Sequence, residues 1–421
     1  MTNPLPVGEY PCETPNVCPP QTFAPPHCAA THPSDDVDQV RVALENGNVT
    51  ANDQVGPQCA LAFTLSNDQI TNKLDIVKTL LAYGADPNAL DDPALNPPAR
   101  SPSGVDPDQG LPSLGTNVEN LDPATRYYVS RAKSEAMQKN RALVQRTEFQ
   151  PLARVCFDLV GQDLAFEQLF RALNTRSKQR KPGPVVAVLC GPSGHGKSFV
   201  AHRFSSLLDI PSHTVNLTTV RTPGDLWKSF SMDPNEDVIS QLTLEEFLIE
   251  NEGRPCVVVL DEIEKTAKEN LFSLLVPFEL GRCPIEAGKR HVDVRRVTWL
   301  ATSNIGQETV FEFDKTRITP DKPISRQEYL QLTTTLRDQV SEHLGASLLS
   351  RVTCVLPFVP FSTEELRAIA AESVMSLGGE EVSRLNPSAI GGIIDRALLA
   401  YVAREGARSL YRAVSNEVVD L

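Results

Sequence analysis

No lysine or arginine precedes Arg41 in the 421-residue chain. Its first residues therefore lack the basic n-region of a secretory signal and the Arg-rich face of a mitochondrial presequence. Long hydrophobic runs are missing as well. Purely apolar stretches such as Val185 to Cys190 and Cys256 to Leu260 fall well short of the roughly 18 residues a membrane-spanning helix needs. Cys-x-x-Cys pairs are absent. The nine cysteines, an odd number, fit reduced thiols better than a disulfide framework. Cys12, Cys18 and Cys28, with His27 and His32, lack the close spacing of a zinc site. Positive charge is scarce: 40 Lys plus Arg face 53 Asp plus Glu, a net charge of −13. That balance argues against a nucleic-acid binder that must neutralise phosphates. Together these absences point to an intracellular protein, cytoplasmic rather than mitochondrial, with neither a membrane span nor a nucleic-acid partner.

Proline, in contrast, is abundant, with 33 residues gathered mainly in two blocks. Residues 1–35 hold nine of them and little hydrophobic periodicity, which predicts a disordered tail. Eight more run from Pro87 to Pro123 inclusive and mark an extended linker from Asp86 to Pro123. The spacing and composition of Tyr127 to Val144 predict one exposed helix after it, so that residues 93–150 read as linker plus helix. Residues 36–92 contain an internal repeat: Asp38, Val40, Leu44 and Gly47 recur 37 positions later as Asp75, Val77, Leu81 and Gly84. In each copy the apolar residues fall at helical spacing and glycine follows the last turn, where a left-handed C-cap favours it. The second copy, Asp75 to Ala89, resembles the second helix and following turn of an ankyrin repeat, with Cys59 to Leu65 as the preceding helix. The Thr-Pro-Leu-His opening of such repeats is missing. Two repeats bury little surface, so the segment is expected to dock elsewhere or on a partner.

The apolar strand Val185 to Cys190 runs directly into Gly191, Pro192, Ser193, Gly194, His195, Gly196, Lys197 and Ser198. This is a P-loop pattern. Its glycines let backbone N–H groups wrap phosphates, Lys197 supplies positive charge, and the Ser198 hydroxyl can ligate magnesium. A helix is expected over Lys197 to Leu208. A second apolar strand ends in Asp261 and Glu262, the Walker B arrangement: Asp261 for magnesium and Glu262 as the base that activates water. A third strand, Val297 to Ala301, leads to Asn304, whose amide can orient that water.

These three strand ends together resemble the AAA+ ATPases, and more narrowly the Clp family of ring-forming unfoldases and disaggregases. Val160 and Gly161 match the family's adenine-contacting segment. Asn304 matches sensor 1, Arg351 the arginine finger that reaches a neighbouring subunit's nucleotide, and Arg408 sensor 2. The resemblance covers residues 150–421. It implies an α/β fold: a large AAA+ domain at 151–357, built on a five-stranded parallel sheet with helices on both faces, and a small helical lid at 358–421. An ankyrin-like segment ahead of one Clp-type module is similar to the layout of the caseinolytic-peptidase-B homologues of animals and fungi.

Two departures bear on mechanism. The Gly-Tyr-Val-Gly loop that grips client backbone in Clp pores is missing between the P-loop and Glu262, leaving Trp227 or Phe230 as substitutes. The chain also reaches Leu421 soon after the sensor 2 helix, where Clp lids usually continue, so that Thr363 to Leu377 and Ile390 to Glu405 would form an abbreviated lid. The resemblance implies ATP and Mg²⁺ as ligands, unfolded or aggregated proteins as clients, a homo-oligomeric ring, and client recruitment by the ankyrin-like helices. The alternative is a nucleotide-switched scaffold without threading activity.

Overall fold

The computed structural model describes residues 37–47, 49–67, 69–96, 121–232, 242–285, 290–317, 323–383 and 385–419. The expected tail at 1–35, residues 97–120 of the linker, the Cys12, Cys18, Cys28, His27 and His32 group, and Leu421 lie outside those residues.

The two copies of the repeat are helices α1 (Val37–Glu45) and α3 (Lys73–Ala82), followed by Gly47 at φ 71° and Gly84 at φ 103°. Between them come a two-residue antiparallel hairpin pairing Gln54–Val55 with Gln58–Cys59, and α2 (Ala60–Ser66), one residue away from the expected range. Leu74, Val77, Leu80 and Leu81 of α3 are buried. Asn52 ties the hairpin to the turn after α3, its Nδ2 donating to the Gly84 carbonyl at 3.0 Å and its Oδ1 accepting from Asp86 N–H at 2.7 Å.

The expected single exposed helix over Tyr127 to Val144 is instead two buried ones, α4 (Pro123–Lys133) and α5 (Glu135–Val144). Ser134 is extended, ends α4 and caps α5 by accepting from Met137 N–H at 3.2 Å. Tyr128, Val129, Met137 and Val144 are fully buried. The abundance of Lys, Arg, Glu and Gln describes only the outer faces; the apolar residues at helical spacing form an inner face, which packs on the lid and on α6 (Asp163–Ser177).

The main sheet comprises β1 (Val185–Cys190), β2 (Ser212–Asn216), β3 (Cys256–Asp261), β4 (Val297–Ser303) and β5 (Cys354–Pro357). Their order is β2-β3-β4-β1-β5 and every pairing is parallel. This agrees with the α/β fold expected. Parallel strands covered on both faces read as unbroken apolar runs, and all six residues of β1 are buried. Alternate side chains then divide between two cores. Val185, Ala187, Leu189, Val257 and Val259 face one that continues through α7 (Lys197–Leu208) and the lid to α3. Val186, Val188, Val258, Leu260 and Trp299 face the other, against α8 (Arg326–Leu344).

The lid is formed by α9 (Thr363–Ser383), α10 (Pro387–Leu399) and α11 (Ala407–Val419). The first runs past the expected Leu377. The second stops short of the expected Glu405, because residues 400–406 leave the helix to form a turn that ends at Gly406, φ 58°. Among the described residues, no helix is long and apolar enough to cross a membrane.

Candidate functional site

The carboxyl ends of β1, β3 and β4 meet the first turns of α7, the Asp158–Val160 segment and the lid around a cavity of about 390 Å³. Parallel α/β sheets place ligand sites at this edge because strand ends and helix N-termini converge there. Lys197 is buried in the first turn of α7. Its Nζ donates to the carbonyls of Gly191 (2.8 Å) and Pro192 (2.7 Å) and to Asn304 Oδ1 (3.0 Å). Burial pushes the ammonium down to about 8, with Arg408 acting in the same direction. Ser198 Oγ donates to Asp261 Oδ1 at 3.3 Å. The Thr302 hydroxyl also donates to Asp261, and accepts from Glu262 N–H at 3.0 Å. Glu262 stands at φ 56°, a left-handed conformation costly for a non-glycine residue and frequent at functional sites. Glu264 Oε1 accepts from the Asn304 N–H at 3.0 Å. From the lid, Arg408 Nη1 donates to Ser193 Oγ at 3.3 Å.

The cavity therefore brings together Val160, Ser193, Gly194, Gly196, Lys197, Ser198, Asp261, Glu262, Asn304 and Arg408. Gly191 and Pro192 contribute through the carbonyls that hold Lys197. His195 faces away from the lining: its Nδ1 donates to the Ser193 carbonyl at 2.8 Å, and its ring stacks on Phe361 at 4.9 Å between the loop and the lid. Gly161 lies behind the lining, its N–H donating to the Tyr127 hydroxyl at 2.9 Å. Arg351 lies outside the cavity and pairs with Glu279 at 2.5 Å. Trp227 is half-buried against the second core, whereas Phe230 is 55% exposed beside Met232 at 58%.

Several residues that shape the site were not singled out by sequence. Thr302 bridges Asp261 and Glu262, and Glu264 fixes the Asn304 backbone; their adjacency to assigned residues was the only signal. Arg131 of α4 had none. Buried at 5% exposure, it donates to the carbonyls of Leu159 (2.6 Å) and Gly161 (2.6 Å), to that of Cys156, and to Asp163 Oδ1. It thereby moulds the segment that carries Val160.

A magnesium ion fits this donor set. Ser198 and Asp261 offer two hard oxygen ligands side by side, 3.3 Å apart. That suits an ion which keeps waters and shares its shell with substrate phosphates.

Residues 186–317 match the family described as AAA domain (dynein-related subfamily). This segment has the fold of an AAA domain. No curated protein matches the chain. Among solved structures, the chain is similar to a closed-state reconstruction of Hsp104 with ATPγS and FITC-casein, at 19% identity over 71% of this chain and 52% of that one, TM-score 0.46. The Saccharomyces cerevisiae Hsp104–ADP complex gives 17% identity, 70% and 52% coverage and a TM-score of 0.46. The S. cerevisiae Hsp104–casein complex in its extended conformation gives 19%, 69%, 48% and 0.47. The chain spans about half the length of these structures.

Proposed function

We propose that the chain is a Clp-type AAA+ protein remodeller, which binds ATP in the cavity described and hydrolyses it to act on unfolded or aggregated protein clients. What carries this reading is the convergence of Lys197, Ser198, Asp261, Glu262, Asn304 and Arg408 on one cavity at the carboxyl edge of the sheet. Lys197 and the backbone N–H groups of residues 191–198 hold the β- and γ-phosphates. Ser198 and Asp261 hold magnesium, which supplies charge neutralisation between those phosphates when bound. Glu262 accepts a proton from the attacking water, Asn304 orients that water, and Arg408 brings the lid onto the phosphates.

Arg351 completes the site from a neighbouring subunit of a homo-oligomeric ring. Its position outside its own subunit's cavity supports that role, and in related phosphoryl transfer such an arginine contributes on the order of 10³-fold or more in rate. The ankyrin-like helices recruit the client, and exposed Phe230, rather than half-buried Trp227, is the better placed aromatic to grip it.

Steady-state ATP hydrolysis across a range of protein concentrations tests the reading. Turnover per subunit should rise with concentration and vanish in Glu262→Gln. Arg351→Ala should bind ATP with near-native affinity yet turn it over at least about tenfold more slowly. ATP binding without turnover at any concentration would instead support the nucleotide-switched scaffold.

A further inference from the structure

The lining of the nucleotide cavity divides by chemistry. Lys197, Ser198 and Arg408 mark the phosphate end. Around Val160 and Ile369 it is apolar, and two carboxylates, Asp158 and Glu372, join it there. Arg203 holds Asp158 at 2.8 Å from outside the cavity. Glu372 stands one helical turn after Ile369 on α9, on the same face. Its partner comes from the N-terminal repeat: Lys78 Nζ of α3 lies 2.9 Å from Glu372 Oε1, with the two side chains only 18% and 25% exposed. The same ammonium sits 5.0 Å from the centre of the Tyr128 ring of α4. Lys78 is thus fixed by α4 and the lid together, and Glu372 is fixed by a residue almost three hundred positions away in the chain.

We infer, resting on the ATP reading of this cavity, that Glu372 selects the nucleobase and that Lys78 is the positioning residue that holds its carboxylate in place. A carboxylate only accepts hydrogen bonds, and with roughly four lone-pair sites it keeps acceptor capacity after pairing with one ammonium. Adenine presents an exocyclic amine, a donor. Hypoxanthine carries a keto oxygen in the same place, and two acceptors facing each other in a half-buried slot leave both desolvated and unpaired. The N-terminal repeat is then part of the nucleotide site: undocking α3 would release Glu372 and blunt the preference for adenine.

The test compares dissociation constants of ATP, inosine triphosphate and inorganic tripolyphosphate for the full chain. All measurements use the Glu262→Gln background, so that nucleotide is not consumed. A charge-assisted hydrogen bond corresponds to a preference for ATP over inosine triphosphate of roughly tenfold or more. Glu372→Gln and Glu372→Ala should bring that ratio to within about threefold while tripolyphosphate binds as before. Gln is included because its amide serves either base and preserves the packing of α9. Lys78→Met should lower the ratio part of the way, and adding it to Glu372→Gln should lower it no further, because both act through one carboxylate. Equal affinity for the two nucleotides, or a preference that survives both Glu372 substitutions, overturns the inference and leaves the ATP site standing. Failure to bind ATP and tripolyphosphate alike overturns both.

Discussion

His195 and His213 are both fully buried, and each ring has one nitrogen on a carbonyl: His195 Nδ1 on Ser193 at 2.8 Å, His213 Nε2 on Ser229 at 3.1 Å. The nitrogen on the carbonyl must carry the proton, which fixes the tautomer of the neutral ring, while the other nitrogen is buried with no hydrogen-bond partner. Burial holds each imidazole down to about 4, from an ordinary value of 6.5. The folded pKa lies below the unfolded one, so the unfolded chain binds more protons between those values. The stability contributed by the neutral rings is complete above about pH 6.5 and is lost as pH falls towards about 4. Near pH 5 that loss is on the order of 2 kcal/mol for each ring. His213→Gln keeps a donor for Ser229 without a titratable group, so urea midpoints taken from about pH 7 to 5 should fall less steeply than in the parent; an identical slope would remove His213 as a source of acid lability. At this scale the residues that meet at the cavity were legible because their pattern is written in adjacent positions, from Gly191 to Ser198 and at Asp261 and Glu262. Thr302 and Arg131 were not, because what they do depends on partners far along the chain.

The loop after β1 and the turn before α11 also interlock through their backbones. Ala407 N–H donates to the Gly194 carbonyl at 3.0 Å. A Cβ on Gly194, φ 74°, would lie 2.0 Å from the Glu405 carbonyl oxygen, and one on Gly406 would lie 2.6 Å from the Gly194 carbonyl oxygen. Backbone cannot yield as a flexible side chain does, so either alanine must part the lid from the loop, in addition to the roughly 1 kcal/mol of an unfavourable φ. Gly406→Ala is expected to weaken ATP binding at least about tenfold, and to expose α11 to limited proteolysis while the sheet remains protected; unchanged affinity and cleavage would show that the lid acts independently of the loop. Strands β1, β3 and β4 were legible in sequence because burial on both faces gives an unbroken apolar run. The break between α4 and α5 was missed because Ser134 has no breaker beside it, and the end of α10 because Ala400 to Glu405 retain helical composition while adopting a turn.

Across the whole molecule, one core passes from the repeat through α4 and α5 to the lid and one face of the sheet. Sequence divides this region at a proline-rich linker. The burial of α4 and α5 shows why composition alone misplaces such a boundary: a helix with a charged outer face reads as solvated until its partner is seen. Arg131 is the sharpest case, a cation enclosed by three carbonyls and the Asp163 carboxylate. Removing one partner of a buried pair typically costs 3–5 kcal/mol, because the remaining groups stay dry and unmatched. Arg131→Met should lower unfolding free energy by about that amount in denaturant titrations, and a loss below about 1 kcal/mol would contradict this account of the enclosure. The same enclosure dictates where the polypeptide can be divided. A recombinant fragment opened at residue 151 retains every P-loop residue, yet it loses the guanidinium that gathers four acceptors beside Val160 and leaves them to water, whereas one opened before Asp122 takes its own guanidinium along.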